Sequence, residues 1–135
     1  MTKEEATEFF KLDRFASEEM GIVIDEVADG FSRVSMTVRD IHRAAHGGVM
    51  GGALFTLADF AFAVACNTPE SITVTVSSNI SFMSGAKSDE LTAVCRRVKN
   101  GKRVCFCETE ITDSVGTLVA TVSAVGSNFG AVTKN

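Results

Sequence analysis

The segment Gly51 to Asn67, GGALFTLADFAFAVACN, holds one carboxylate, Asp59, among residues that are otherwise small, apolar or Thr until Asn67. An ionised carboxylate in apolar surroundings is penalised by several kcal/mol even after relaxation, so its position calls for a reason. Two readings follow from the residues alone. In one, Asp59 faces outward at a turn that meets solvent or an interface, or a neighbouring donor satisfies it. In the other, a desolvated acid of raised pKa or heightened basicity acts on a substrate in a cleft. Gly47-Gly48 and Gly51-Gly52 flank the start of the same segment. Glycines let a backbone come close to a ligand while the first N–H groups of a helix stay free, and such N–H groups suit an anion or a developing oxyanion. The bland counterpart is a tight turn followed by close helix packing. Asp59 follows Gly51 by a little over two helical turns, so the two share a wall only if a second subunit completes the cleft.

The elements that would position these groups can be read from pattern. Residues 3–19 space Phe9, Phe10, Leu12 and Phe15 as an amphipathic helix. Residues 21–28 and 31–38 read as strands around Asp29-Gly30, which suits a type I′ hairpin. The loop RDIHRAAHGGVM leads into the long apolar helix. In ESITVTVSSNISFMSGAK, Ile72, Val74, Val76, Ile80 and Phe82 alternate with Thr73, Thr75, Ser77, Asn79 and Ser81, which predicts a strand with one core face and one polar face. Two strands joined through Asn100-Gly101, a turn at Asp113 to Gly116 and a last strand from Thr117 complete the order. An antiparallel sheet with one dominant, nearly all-round apolar helix is an α+β arrangement in which a curved sheet wraps the helix, the hotdog fold, with an extra N-terminal helix. A length of 135 residues suits one domain over 1–135, with the core at about 20–130.

Composition narrows the function classes. Net charge is −4 and pI near 5.1, which argues against a broad nucleic-acid surface. The N-terminus carries acids throughout, and the longest apolar run is too short for a membrane span, so a soluble cytoplasmic protein is expected. Cys66, Cys95, Cys105 and Cys107 lack CxxC spacing, and His42 and His46 lie far from them in sequence, so no metal is expected. Cys105 and Cys107, two apart on a strand, read as two small apolar side chains on one sheet face. The basic cluster Arg96, Arg97, Lys99, Lys102 and Arg103 is either a solvated strand-and-turn face or a phosphate-binding patch.

The run AAHGGVMGGALFTLADFAFAVACN resembles the signature segment of acyl-CoA thioesterases of the phenylacetic-acid-degradation type, in which His-Gly-Gly opens the central helix and Leu-Ala-Asp follows. SSNISFMSGAKSDEL and GKRVCFCETEITDSVGTLVATVSAVG extend the resemblance over about residues 20–130. It implies that Asp59 is the catalytic acid, attacking the thioester carbonyl or activating water, and that the Gly51 N–H, with Gly52 beside it, polarises the thioester oxygen. Thr75 falls where relatives carry a Ser or Thr that places the water or the acid. His46, Gly47, Met50, Asn79, Ser81, Phe82, Met83, Ser84, Arg97 and Lys102 are the expected substrate neighbours, and no cofactor is implied beyond the CoA of the substrate. An ungapped match puts Met50 at the motif His and Ala44 at a water-positioning Asn, both losses of polar groups. Aligning His46-Gly47-Gly48 with the motif instead inserts four residues before Asp59. Family members are dimers or dimers of dimers with sites shared between subunits, and the same homo-oligomer is expected here. Two functions stay open: hydrolysis of an acyl-CoA or related thioester, made slow or selective by the two losses, and acyl-ligand binding without turnover.

Overall fold

A computed structural model of the chain describes residues 1–130. The N-terminal helix α1 spans Lys3–Phe10 and is capped by Thr2, whose Oγ1 accepts the Glu5 N–H at 3.1 Å. It does not continue to residue 19. The chain turns at residues 11–14 and resumes as a single π-helical turn, Phe15–Glu19. The Ser17 hydroxyl donates to the carbonyls of Asp13 (3.0 Å) and Lys11 (3.3 Å), while its N–H keeps the helical bond to Asp13 at 2.9 Å. Leu12 and Phe15 end up exposed, so the apolar stripe that predicted one long helix is not used throughout.

Strands β1, Val23–Ala28, and β2, Phe31–Thr37, form the expected hairpin. Gly30 alone supplies the positive φ, at +69°, and Asp29 does not, so the turn is not the type I′ that the dipeptide suggested. The central helix α2, Gly51–Cys66, follows. Four strands complete the fold: β3, Ile72–Phe82; β4, Glu90–Asn100; β5, Val104–Asp113; and β6, Leu118–Gly130. They join β1 and β2 in one antiparallel sheet of order β1-β2-β4-β5-β6-β3. This is the hotdog arrangement.

The sheet wraps α2 through Leu57, Ala58, Ala61 and Val64, all buried. The Ser32 hydroxyl of β2, fully buried, donates to the Ala61 carbonyl at 2.6 Å and pins helix to sheet. At Gly126 of β6 the approach is tighter still, because a Cβ there would stand 2.7 Å from the Phe62 ring. One stripe of α2 escapes the sheet. Gly52 and Asp59 are exposed and Thr56 and Ala63 half-buried, at a spacing that keeps them on one helix face. The helix is therefore not covered on all sides in the single chain.

β3 departs from its predicted alternation. Its pairing with β6 shifts between Thr75 and Ser77, so Val76 is an extra residue and the inward phase changes there. Thr73 is buried and Thr75 half-buried before the bulge, whereas Val74 and Val76 are exposed at 50% and 65%. After it, Ile80 is half-buried but Phe82 is 58% exposed. The polar residues expected outside thus begin inside, and the apolar ones outside. β3 ends the sheet, paired on one side to β6.

Candidate active site

The loop before α2 is built to hold its backbone close. Met50 N–H donates to the His42 carbonyl (2.8 Å), Ala44 N–H to Gly48 (2.8 Å) and Gly47 N–H to Ala44 (2.9 Å). Gly47 makes the turn at φ +98°, a conformation other residues rarely adopt. His42 anchors the base from below. Its ring is buried, with Nδ1 accepting the Arg39 N–H at 2.8 Å and Nε2 within 3.0 Å of the Met20 carbonyl, which fixes the neutral tautomer with the proton on Nε2. Burial lowers its pKa, outweighing the Met20 hydrogen bond.

This loop, the start of α2 and residues 82–89 enclose a cleft of about 680 Å³. Of the residues singled out from the sequence, Gly51, His46, Gly47, Phe82, Met83 and Ser84 line it. Arg43 and Asp89 line it as well, held together by an ion pair at 3.0 Å, with Arg43 also donating to the Gly47 carbonyl at 3.1 Å. Sequence reasoning missed both, although a cation next to a glycine-containing loop was available as a signal. The floor of residues 84–89 is tied down by Asp113, whose carboxylate accepts the N–H groups of Lys87 (2.7 Å), Thr117 (2.8 Å) and Val115 (3.1 Å). Burial works against the charge of Asp113, but these bonds prevail and lower its pKa to about 2.

At the helix start, Met50 is the N-cap and provides no side-chain bond. The first intrahelical bonds run from Ala53 and Leu54 to the Met50 carbonyl at 2.9 and 3.3 Å. The N–H groups of Gly51 and Gly52 precede that ladder and stand at the positive end of the helix dipole. Gly51 also has a packing duty, since a Cβ on it would meet the Phe82 ring at 3.0 Å.

Asp59 lies elsewhere. It is exposed in the single chain rather than buried, because it belongs to the stripe of α2 that the sheet leaves bare. It is not in open solvent: a hollow of about 310 Å³, lined by Asp13, Arg14, Phe15, Thr56 and Phe60 among others, surrounds it. The segment after α1 reaches this place because Phe10 packs edge-on against Phe60, with ring centroids 5.8 Å apart. Desolvation in the hollow, and then the Asp13 charge, push the Asp59 pKa up. The Thr56 hydroxyl shares the hollow and donates to the Gly52 carbonyl at 2.8 Å.

The remaining expected neighbours scatter. Thr75 is half-buried on β3 opposite Gly126, and Met50 is 55% exposed at the helix cap. Asn79 belongs to a shallow hollow with Phe106, and Ser81 is exposed. Arg97 pairs with Asp29 at 3.0 Å beside the far end of α2, its side chain only 15% exposed, and Lys102 sits in the exposed turn between β4 and β5. Neither lines the cleft at Gly51. One chain thus brings the glycine loop and Phe82–Ser84 together and leaves Asp59 in a separate hollow.

A family model for the thioesterase superfamily matches residues 46–120. Among curated proteins, the acyl-coenzyme A thioesterase PaaI of Escherichia coli is 36% identical over 102 residues, 75% of this chain and 73% of that protein. The structure of E. coli PaaI from the phenylacetic acid degradation operon superposes with a TM-score of 0.87 at 27% identity, covering 98% of this chain and 99% of that one. A mutant of the phenylacetic acid degradation protein PaaI of Thermus thermophilus superposes with a TM-score of 0.77 at 28% identity, covering 83% and 96%.

Proposed function

The chain belongs to the thioesterase superfamily, and from that premise we propose that it hydrolyses an acyl-CoA or a closely related thioester in a site completed by a second copy of itself. The observation that carries this reading is the division of α2. Its first residue, Gly51, lines the cleft, while its one carboxylate, made more basic by its hollow, stands on the bare stripe. A copy seated on that stripe brings its own cleft to Asp59. The unpaired outer side of β3, with Val74, Val76 and Phe82 exposed, is where the two sheets would join edge to edge.

In such a site the thioester carbonyl oxygen sits at the N–H of the partner subunit's Gly51, which stabilises the negative charge that develops on it. Asp59 acts as general base or as nucleophile. As base it takes a proton from water, whose oxygen adds to the carbonyl carbon; collapse of the adduct breaks the C–S bond, and the proton leaves with the thiol. As nucleophile its oxygen adds to the carbonyl carbon and the C–S bond breaks, expelling the thiolate and leaving an acyl-carboxylate anhydride; water then opens the anhydride to the free acid and the Asp59 carboxylate, and its proton goes to the thiolate. The raised pKa serves either role by making the carboxylate more basic and more nucleophilic. Arg43, tied to Asp89 in the cleft, is the cation nearest the glycine loop and the better placed of the basic residues to meet a substrate phosphate there.

Met50, apolar and exposed at the helix cap, favours a second reading in which the cleft binds an acyl ligand without turnover. Thiol release from a panel of aryl and fatty acyl-CoA thioesters separates the two. Hydrolysis by the unmodified protein that Asp59→Asn abolishes supports the enzyme. Saturable binding with no release, the same in Asp59→Ala, supports the binder and overturns it.

A further inference from the structure

Folding gathers cysteines that the sequence keeps apart. Cys66 closes α2, and Cys105 and Cys107 rise from β5 beneath it. Their three sulfurs all lie within 4.8 Å of one another, and the Sγ atoms of Cys66 and Cys107 are 3.3 Å apart. All are free thiols and all are buried. Cys95 of β4, also buried, stands near Cys107 but outside that close trio. Spacing along the chain offered no CxxC, yet the strand period put Cys105 and Cys107 on one face and the end of α2 set Cys66 above them. We propose that Cys66, Cys105 and Cys107 form a thiolate site for a soft d¹⁰ cation of the zinc class, with Cys95 the nearest fourth ligand.

The geometry fits that class of ion. With metal–sulfur bonds of about 2.3 Å, thiolates round a tetrahedral or trigonal centre stand roughly 4 Å apart, so the three sulfurs need only small side-chain adjustments to close on an ion. The electrostatics fit as well. Binding converts three thiols and a divalent cation into a tris-thiolate complex of net charge −1 and releases three protons. The Arg97 guanidinium, 15% exposed, lies beside Cys66 and offsets that charge. The negative end of the α2 dipole also favours a cation at this spot over a bare thiolate. Entry is through a hollow of about 200 Å³ that Cys66, Asn67, Thr73, Arg97 and Asn128 line at the end of the helix. A bound ion would staple the end of α2 to β5. It goes beyond the apolar role expected of Cys105 and Cys107, and it is independent of the thioesterase reading.

The test loads the fully reduced full-length protein with zinc chloride and removes the excess by gel filtration. Retained metal is then counted, and its sulfur shell is measured by X-ray absorption. The expected result is about one zinc per chain with three or four sulfurs at about 2.3 Å, a raised Tm, and affinity that drops steeply as pH falls because protons compete for the thiolates. A Cys105→Ala/Cys107→Ala variant should lose the retained zinc while keeping its circular dichroism spectrum. No retained zinc, or a shell of nitrogen and oxygen only, overturns the proposal. So does retention by a folded double variant equal to that of the unmodified protein. Should the variant fail to fold, the sulfur shell of the unmodified protein decides alone.

Discussion

A shared site makes a prediction that a single-chain site does not. Gly51 and Asp59 are eight positions apart on α2, which is about 12 Å along the helix axis. Reacting groups must come to about 3–3.5 Å. The two also open into different hollows, so no side-chain rotation within one chain closes the gap. Two inactive variants should therefore rescue each other. Asp59→Asn removes the base and should lower kcat/KM by about 10²–10⁴. Gly51→Val fills the cleft, since even its Cβ would meet the Phe82 ring at 3.0 Å, while the backbone φ of Gly51 suits any residue. Each variant alone would be nearly inert. Refolded together in equal amounts, half of the dimers are mixed, and each mixed dimer carries one intact site and one doubly damaged one. The mixture should recover about a quarter of the unmodified activity, read as thiol release, with dimers confirmed by sedimentation. Activity no greater than the sum of the two variants in a population shown to contain mixed dimers would refute the reasoning. An active monomer would refute it more directly.

Stability measurements test the same geometry from another side. Because burial and Asp13 favour the neutral form of Asp59, ionisation there costs stability, a contribution present below the unfolded pKa and lost as pH rises through the folded one. Asp59→Asn should then leave Tm at neutral pH unchanged or higher while activity collapses; a large loss of Tm would assign Asp59 a structural role. His42 has the opposite sign for a base: its lowered pKa gives stability that is present above about pH 6.5 and lost as pH falls below it. Urea midpoints should drop between about pH 7.5 and 5.5, and His42→Phe should flatten that drop on a baseline about 1–3 kcal/mol lower, from the stranded Arg39 N–H and Met20 carbonyl. Asp113, with its pKa lowered to about 2, contributes stability above the unfolded carboxylate range that disappears as pH falls toward 2. Asp113→Asn should lower Tm at pH 7 and weaken the acid dependence. Gly126→Ala would place a methyl 2.6 Å from Thr73 Cγ2 and 2.7 Å from the Phe62 ring, costing about 1–3 kcal/mol in urea unfolding, a cost that Thr73→Ser should partly relieve.

Much of the fold was legible because it depends on short-range chemistry. Asp29-Gly30, Asn100-Gly101 and Asp113 to Gly116 each mark a reversal, and the length and greasiness of residues 51–66 demand a sheet around them. What escaped were features that tertiary contacts decide. The amphipathic spacing of residues 3–19 could not show that the N–H groups of Leu12 and Asp13 would bond three residues back, to Phe9 and Phe10, and close the first helix early. The alternation of residues 72–82 was real, but the bulge at Val76 changed which side faced inward. A strand at the edge of a sheet has no second neighbour to enforce its register, so periodicity alone overstates how firmly its faces are assigned.

For the site, residue types were legible and meeting places were not. The glycine loop and Phe82 to Ser84 lie far apart in sequence and converge only because β3 ends beside the start of α2. Arg97 looked free among basic neighbours, yet Asp29 at the tip of the first hairpin claims it. Asp59 is the most instructive case. An isolated acid in an apolar helix predicts burial if the helix is taken as wrapped on every side, and the chain instead leaves one stripe uncovered. The hollow at that stripe is nevertheless lined by Thr56, Phe60 and Asp13, which desolvate the carboxylate without enclosing it. An acid meant only for solvent would need no such surroundings, and one meant only for the core would find no room for a substrate. A basic carboxylate at the mouth of a half-built hollow is the arrangement expected where a second molecule supplies the other wall.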